Sequence, residues 1–393
     1  MYNYSRFSDP ASLPVTGMTH GRRAVGCVWK QARLPVRKGE RRHRHAGFLS
    51  GDPVFCCNHE SHMPYLDSFS RPINYLRVSV TDRCNLRCVY CMPAGGVPPL
   101  QHTDVLRYEE IARVVRAAAA LGVNKVRLTG GEPLVRRNLP DLVRLIAAVP
   151  GIDDISLTTN GILLPRYADE LAAAGLRRVN VSLDSLRSER FRAMTRCGDL
   201  ADVWAGIAAA GQAGLTPIKL NTVVIRGLND DEVADFARLT VTRPLHVRFI
   251  EVMPLGANKH WAGDGYVPMS EVRARIEAAL GPLEAVGEDD PVIGNGPARY
   301  YRLPGAPGTV GLISPVSEHF CFHCNRLRLT ADGKLRPCLL SDEEIDLRSA
   351  LRDGADDEEL QAIIAGAIVA KPARHHLEEG LVPHKRQMAQ IGG

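Results

Sequence analysis

The stretch that decides the fold is residues 75–93, which read YLRVSVTDRCNLRCVYCMP. Residues 75–81 are mostly apolar or β-branched, and this pattern predicts a strand. Three cysteines follow it with C-x3-C-x2-C spacing, at Cys84, Cys88 and Cys91. Such short spacings suit a metal site better than disulfide loops, especially in a reducing compartment. The stretch therefore predicts a strand whose carboxyl end is followed by three metal-binding thiolates.

A second set of three cysteines lies far along the chain, at Cys321, Cys324 and Cys338. A cubic 4Fe–4S cluster normally takes four protein thiolates, so three thiolates leave one iron open to a small molecule. The two triads therefore predict two clusters that each take part in chemistry.

A zinc ion is the alternative to an iron–sulfur cluster at both triads. Zinc normally takes four ligands, and no fourth Cys or His lies close to the first triad, which favours iron–sulfur there. His319 or His323 could complete a zinc site with the second triad, and the local sequence alone leaves zinc and iron–sulfur balanced. The barrel pattern in the first half of the chain favours iron–sulfur for both.

Composition and charge exclude several classes of protein. The chain has 393 residues, of which 45% are hydrophobic and 24% are charged, which is typical of a soluble globular protein. The formal net charge is +5, but residues 1–62 alone carry ten basic and four acidic residues. The other residues are therefore close to neutral, which argues against a nucleic-acid-binding body. No apolar run of about 18 residues occurs, so no membrane span is expected.

Residues 1–62 are expected to form a disordered basic extension, because 20–47 is rich in Arg, Lys, His and Gly without an apolar period. Translation from Met63 and an organelle transit peptide are two alternative explanations of this segment. No secretory signal is recognisable, and a cytoplasmic location is expected. A minor metal-site candidate within the segment consists of Cys56, Cys57, His59 and His62.

From about residue 70, short apolar runs alternate with helical patterns. The runs lie at 75–81, 125–130, 154–160, 178–184, 217–225 and 246–253. The clearest helical patterns lie at 107–121, 138–148, 163–174, 199–213 and 230–241. Such alternation predicts a parallel sheet covered by helices. Six units are too few for an eight-fold barrel, so the expected fold class is α/β, an incomplete (β/α)6 TIM-like barrel over residues 63–280.

Residues 281–393 are expected to form a C-terminal α+β extension that carries the second triad. Gly and Pro interrupt its first part, and one hairpin is expected between 299–303 and 310–313. The turn signal Asp332-Gly333 predicts a second hairpin, between 326–330 and 334–338, which would bring Cys338 near Cys324. Helical patterns follow at 345–352 and 356–369.

Motifs that can carry chemistry follow the carboxyl ends of several predicted strands, where β/α barrels have their functional loops. Besides the first triad, they are Gly130-Gly131-Glu132-Pro133, Thr158-Thr159-Asn160-Gly161, Ser182-Leu183-Asp184-Ser185 and Met253-Pro254. Taken alone, the glycine pair indicates either a plain turn or close approach of the backbone to a ligand. Together, the motifs predict one site at this rim of the barrel.

The first triad followed by Gly-Gly-Glu-Pro resembles the radical SAM superfamily. More closely, residues 77–93, the second triad with Asn325-Arg326-Leu327-Arg328, and Gly392-Gly393 resemble the GTP 3′,8-cyclase family of molybdenum cofactor biosynthesis. The resemblance runs from about residue 63 to residue 393 and leaves out residues 1–62.

The resemblance implies two 4Fe–4S clusters, held by Cys84, Cys88 and Cys91 and by Cys321, Cys324 and Cys338. It implies S-adenosyl-L-methionine contacts from Tyr90, Gly131, Ser182 and Met253. It implies GTP contacts from Arg77, Arg127, Thr158, Lys219, Arg326, Leu327 and Arg328. Catalytic roles are implied for Arg326, Arg328, Gly392 and Gly393, the two glycines belonging to a tail that enters the active site.

The implied activity is a radical cyclisation of GTP, in which a 5′-deoxyadenosyl radical takes the ribose 3′-hydrogen and the sugar radical attacks C8 of guanine. The implied partners are GTP, a one-electron reductant, a second copy of the chain in a homodimer, and a downstream cyclic pyranopterin monophosphate synthase. Apart from the resemblance, several arginines in one barrel suit a triphosphate, because guanidinium groups bind phosphate bidentately.

Two other functions stay open at the level of sequence. One is a different radical SAM enzyme with an auxiliary cluster, acting on a peptide or another small molecule. The pair Arg326 and Arg328 beside the second triad argues against it. The other is an iron–sulfur electron carrier or sensor without catalysis, which would leave the Gly-Gly-Glu-Pro motif and the basic barrel lining unexplained.

Overall fold

The structure is a computed structural model that describes residues 64–287, 289–290, 292, 294 and 296–392. The chain divides into two compact units, Met1–Asn58 and His59–Gly393, and all described residues lie in the second. The predictions for residues 1–62, including the metal candidate at Cys56, Cys57, His59 and His62, lie outside the described residues. The prediction for Gly393 lies outside them as well.

Six parallel strands form the centre of the fold: β1 (Tyr75–Ser79), β2 (Lys125–Thr129), β3 (Asp154–Thr159), β4 (Arg178–Ser182), β5 (Lys219–Val224) and β6 (His246–Glu251). Their helices are α1 (Tyr108–Ala120), α2 (Leu139–Ala147), α3 (Leu164–Ala173), α4 (Ser188–Thr195), α5 (Leu200–Gln212), α6 (Val233–Thr242) and α7 (Met269–Leu280). All six predicted strands and five predicted helices are confirmed. Helices α4 and α7 were not predicted from the sequence.

The extension adds strands to both edges of this sheet. Its elements are β7 (Glu284–Ala285), β8 (Arg299–Arg302), β9 (Thr309–Ile313), β10 (Arg326–Leu329), β11 (Lys334–Arg336), β12 (Ile345–Asp346), α8 (Leu347–Arg352), α9 (Asp357–Val369) and α10 (Met388–Ile391). Strand β9 pairs in parallel with β6, and β10 pairs in parallel with β1. Both predicted hairpins are confirmed, as β8–β9 and β10–β11.

The result is one twelve-stranded sheet in the order β12-β11-β10-β1-β2-β3-β4-β5-β6-β9-β8-β7. The two ends of this order do not pair, so the barrel is incomplete, as the sequence predicted. Within the described part of the chain, no helix is long and apolar enough to cross a membrane.

The two faces of the barrel strands differ sharply in polarity. One face supplies fully buried apolar side chains that pack on the helices, such as Val126 and Leu128 of β2. Full burial of one such side chain contributes roughly 1.5–3 kcal/mol. The alternate residues face the barrel interior and are mostly polar, as with Arg127 of β2. Because burying polar groups without partners is costly, an interior of this kind indicates a binding site.

Candidate active site

One cavity inside the barrel brings the two cysteine triads together: the first triad follows the carboxyl end of β1, whereas Cys324 lies beside its amino end, because β10 pairs with β1 in parallel. The empty space within it and in its open mouth amounts to about 1800 Å³. Its lining includes all six cysteines of the triads, Cys84, Cys88, Cys91, Cys321, Cys324 and Cys338. Residues separated by more than 200 positions in the sequence thus share one space, because β10 and its hairpin lie directly beside β1.

Backbone hydrogen bonds fix the loop of the first triad. The amides of Arg87 and Val89 donate to the carbonyls of Thr195 and Met194, at 3.0 and 2.9 Å, so the loop is bound to the end of α4. Trp261 adds a further bond from its Nε1 to the Val89 carbonyl, at 3.2 Å. The three sulfur atoms therefore extend from a loop that is held on both sides.

Burial controls the ionisation of these thiols. It raises the pKa of Cys84 to about 11 and that of Cys91 to about 12, and it raises the pKa of Cys88 as well. Such thiols are protonated at neutral pH unless a cation stabilises the thiolate. A group that supplies positive charge, as iron does, fits this donor set.

Tyr90 lies between two of the cysteines and has a fixed orientation. Its hydroxyl donates to Oδ2 of Asp184 at 2.8 Å, while Oδ1 of Asp184 accepts from the Val223 amide at 2.9 Å. Burial raises the pKa of Asp184 to about 6. The sequence pattern places Asp184 in the motif after β4, and the structure adds its contact with the cysteine loop.

The glycine pair after β2 allows two loops to pack backbone to backbone. A Cβ atom on Gly131 would lie 2.4 Å from the Arg83 carbonyl oxygen, closer than side-chain atoms approach. The Gly131 and Glu132 amides donate to the Thr81 and Arg83 carbonyls, both at 2.8 Å. Gly131 also lines the cavity. The glycine pair therefore allows a close backbone approach, and the partner in that approach is the cysteine loop.

Glu132 of the same motif is buried and holds the third rim loop. Its carboxylate accepts hydrogen bonds from Leu134 N at 3.0 Å, from Thr159 Oγ1 at 2.8 Å and from Asn160 N at 2.7 Å. Burial raises its pKa to about 7 even though these hydrogen bonds act in the opposite direction. Glu132 thus ties the end of β2 to the end of β3.

The second triad lies in a more positive environment than the first. Nη2 of Arg326 lies 3.8 Å from Cys324 Sγ, and the ammonium of Lys371 donates to the carbonyls of Arg326 and Pro337, at 3.0 and 2.6 Å. Burial alone would raise the pKa of Cys324, but the charges of Arg326 and Lys371 lower it to about 6. This thiolate therefore forms near neutral pH without a metal.

The arrangement of the donors bears on the choice between zinc and a cluster. The seven cysteines that the structure describes are all free thiols. In the same described residues, no three His, Cys, Asp or Glu side chains converge closely enough to hold one metal ion. The ligands of one zinc ion share a single centre, whereas the ligands of a cube bind different irons and lie further apart. Each triad supplies three thiols, a number that leaves one iron of a cube open, whereas a zinc ion would need a fourth ligand.

Five guanidinium groups line the cavity, from Arg77, Arg127, Arg248, Arg326 and Arg328. Burial lowers the pKa of Arg77 and Arg127, and it lowers that of Arg328 to about 10. Several buried cations in one place are stable only with a counter-charge. The group therefore points to an anionic ligand of high charge. Arg248 was missed by the sequence analysis, although its strand had been predicted.

Three buried polar atoms of the cavity wall, one of them on Arg248, also lack a hydrogen-bond partner among the described residues. They are Thr158 Oγ1, Asn221 Oδ1 and Arg248 Nε. Buried polar atoms in folded proteins are nearly always paired. All three residues line the cavity. They are positioned to bind a polar molecule within it.

The remaining site residues predicted from sequence fall in different places. Ser182 and Met253 line the cavity, and the Gly392 carbonyl accepts from Nη1 of Arg328 at 3.1 Å. Lys219 is not in the lining, because its ammonium donates to the Val292 carbonyl at 2.8 Å and to the Tyr300 hydroxyl at 3.1 Å. Leu327 is fully buried in the apolar core, so only its backbone could contact a ligand.

Comparison with known proteins defines the class of protein first. Residues 78–240 match the family described as Radical SAM superfamily, and residues 245–377 match that described as Molybdenum Cofactor Synthesis C. A crystal structure of Streptococcus suis SuiB bound to S-adenosylmethionine has the same fold, with a TM-score of 0.52 and 12% sequence identity. That match covers 74% of this chain and 68% of the other. The incomplete barrel and its first cysteine loop are those of a radical SAM protein.

The curated relatives define the family within that class. The GTP 3′,8-cyclase of Pelotomaculum thermopropionicum is 60% identical over 327 residues, which cover 83% of this chain and 99% of the relative. That of Moorella thermoacetica is 57% identical with the same coverage. The chain belongs to the GTP 3′,8-cyclase family. As a radical SAM protein it uses a 4Fe–4S cluster and S-adenosylmethionine.

Proposed function

We propose that this protein cyclises GTP to 3′,8-cyclo-7,8-dihydro-GTP, the first step of molybdenum cofactor biosynthesis. One observation carries the proposal: two cysteine triads and five arginines line the same cavity of a radical SAM barrel. When bound, the cluster and S-adenosylmethionine supply one electron and a carbon radical that takes the ribose 3′-hydrogen of GTP. The protein binds and orients both molecules and excludes water.

The first triad would hold the cluster that works with S-adenosylmethionine. Tyr90, Gly131, Ser182 and Met253 lie around that part of the cavity and would contact the cosubstrate. The hydrogen bond from Tyr90 to Asp184 holds the tyrosine ring in one orientation, so the adenosyl group would meet a preformed surface.

The arginines would bind the triphosphate of GTP. Arg77 and Arg127 lie directly opposite each other on β1 and β2, and Arg326 and Arg328 lie on one face of β10. Guanidinium groups bind phosphate oxygens bidentately, and their charge balances that of the triphosphate. Arg248 belongs to the same group by position. Lys219 would join them only if its bonds to Val292 and Tyr300 opened.

The second triad would hold a second 4Fe–4S cluster with one iron open to the guanine base. In support, Cys321, Cys324 and Cys338 line the same cavity as the arginines, and three thiolates leave one iron of a cube without a protein ligand. We also propose a cytoplasmic location for this protein and the partners implied by the resemblance: a homodimer, a one-electron reductant, and a downstream cyclic pyranopterin monophosphate synthase that converts the cyclised product.

Anaerobic reconstitution followed by iron counting, GTP binding and product analysis tests the proposal. We expect about eight irons per chain, since each cube contains four. Cys84→Ala is expected to abolish cleavage of S-adenosylmethionine, whereas the matched control Cys197→Ala should keep it, because it removes an exposed thiol outside the triads whose contact with the cysteine loop is one hydrogen bond to the Asn85 carbonyl. Full cleavage in Cys84→Ala, or no affinity for GTP with both clusters intact, would refute the proposed function.

A further inference from the structure

The last described residues of the chain form part of the cavity wall. We call residues 386–392 the tail segment. Met388 and Ala389 line the cavity, and Ile391 packs with Leu255 and Leu340 in a small apolar cluster. The Gly392 carbonyl accepts a hydrogen bond from Arg328. The tail segment thus lies against the space between the two cysteine triads.

The tail segment packs closely against its neighbours. Gly392 has a φ of +69°, and a Cβ atom there would lie 2.8 Å from Cγ2 of Thr129 on β2. Ala389 and Ile391 are 1% and 2% exposed. Yet α10 has only four residues, and so short a helix is not stable by itself. Something outside the helix must hold it in place.

Arg386 provides such an anchor. Its guanidinium binds Glu344 through Nε–Oε1 at 2.5 Å and Nη2–Oε2 at 2.8 Å. It binds Asp332 through Nη1–Oδ1 at 3.1 Å and Nη2–Oδ2 at 2.8 Å. Its side chain is only 14% exposed. Bidentate pairs of this kind are among the strong charge-assisted hydrogen bonds.

One of the two carboxylates that hold Arg386 lies on the hairpin that connects Cys324 with Cys338. Asp332 lies in the turn between β10 and β11, the hairpin that carries Arg326 and Arg328 and is followed by Cys338. Thr330 Oγ1 donates to Asp332 Oδ1 at 2.6 Å and fixes that carboxylate. The anchor therefore connects the tail segment to the strand that the proposed function assigns to GTP.

We infer that Arg386, paired with Asp332 and Glu344, is a positioning residue that seats residues 388–392 between the two cysteine sites and thereby couples radical formation to cyclisation. The coupling rests on the proposed function; the seating does not. With the segment seated, the cavity wall is closed beside the first triad and Arg328 is fixed by the Gly392 carbonyl. With the segment released, water would enter at the place where a radical must survive until it reaches the substrate.

Hydrogen exchange tests the seating in the reconstituted protein. Arg386→Gln is expected to accelerate amide exchange in residues 388–392 at least about tenfold, because the segment opens locally when its anchor is lost. Asp332→Asn removes the partner carboxylate and should accelerate exchange in the same residues. Arg386→Lys should give an intermediate exchange rate, since lysine keeps the charge but cannot form the bidentate hydrogen bonds of a guanidinium group. Arg238→Gln is the matched control, because it breaks an exposed Arg–Asp pair on α6. Unchanged exchange in Arg386→Gln and Asp332→Asn would overturn the inference.

Product ratios test the coupling. In Arg386→Gln, the amount of 5′-deoxyadenosine formed per cyclised product is expected to rise at least threefold over the wild-type value, a shift that a loss of folded protein alone would not cause. Faster exchange with an unchanged ratio would overturn the coupling. If the wild-type protein formed no cyclised GTP, the proposed function would fail, while the exchange rates would still decide whether Arg386 seats the segment.

Discussion

Replacing Gly131 by alanine tests how closely the second rim loop must approach the first cysteine loop. The new Cβ atom would lie 2.4 Å from the oxygen and 2.7 Å from the carbon of the Arg83 carbonyl, and 2.9 Å from the Asp82 oxygen. All three are backbone atoms, and Arg83 immediately precedes Cys84. The loop can relieve the overlap only by moving about 1 Å, the deficit from an ordinary contact of roughly 3.5 Å.

The expected loss of unfolding free energy follows from the packing and the hydrogen bonds that this movement disrupts. Overpacking costs about 1–3 kcal/mol, and each weakened hydrogen bond, from Gly131 N to Thr81 O and from Glu132 N to Arg83 O, costs about 0.5–1.5 kcal/mol more. We therefore expect Gly131→Ala to lose about 2–6 kcal/mol of unfolding free energy in urea. We also expect it to retain less iron at the first triad after reconstitution, because Cys84 is displaced.

Gly366→Ala is the matched control for this variant. Gly366 lies in α9, and a Cβ atom there would meet nothing within 4 Å. Alanine is the better helix former, so this variant should gain roughly 0.5–1 kcal/mol. If Gly131→Ala unfolded at the wild-type urea concentration and bound the wild-type amount of iron, the close approach would place no constraint on the cysteine loop.

Three further predictions concern the same cavity. Arg248→Gln should weaken GTP binding roughly 10- to 100-fold, since a charged hydrogen bond is worth about 1.5–3 kcal/mol; calorimetric titration of the reconstituted protein checks this against Arg238→Gln, and an unchanged dissociation constant would exclude Arg248 from the site. Burial raises the pKa of Glu132 in the native state to about 7, above its ordinary value of 4.5, so the native state keeps this proton to higher pH than the unfolded chain. Its contribution therefore makes the protein less stable as pH rises through that window, by up to about 3 kcal/mol, and Glu132→Gln should lose this part of the slope in urea unfolding; a Gln variant with the wild-type slope would contradict the assignment. Tyr90→Phe leaves the buried Asp184 carboxylate without the hydroxyl donor, and should lower the free energy of unfolding by about 1–3 kcal/mol and weaken S-adenosylmethionine binding, whereas equal affinity would mean that the hydroxyl does not orient the ring.

The strands of the barrel could be predicted because each carries a regular local signal. Val126 and Leu128 alternate with Lys125 and Arg127, and this period of two requires no knowledge of the neighbouring strands. Helix α4 gave no comparable signal, because its eight residues, SERFRAMT, are mostly polar and bury little. Helix α7 did carry such a signal, since Met269, Val272 and Ile276 share a buried face, so it was predictable from its sequence.

What the sequence could not predict depends on contacts between distant segments. The hairpins of the extension were predicted from their turns, but their pairing with opposite edges of the barrel depends on which edges are left open. Arg248 was missed because one arginine in a strand usually indicates an exposed charge. Lys219 was placed among the basic residues of the barrel, and its partners, Val292 and Tyr300, come from a part of the extension that no local pattern connects to β5.

The pairing of β10 with β1 also has a consequence for how the chain is made on the ribosome. Strand β1 has β2 on one side soon after synthesis, but its other edge stays unpaired until Arg326–Leu329 emerges. That strand follows about 250 residues later, which corresponds to roughly 12–50 s at ordinary elongation rates. An exposed strand edge invites pairing with other chains during this interval. We therefore expect the nascent chain to depend on chaperones until β10 is made, and iron to be loaded only afterwards, when both halves of the cavity exist.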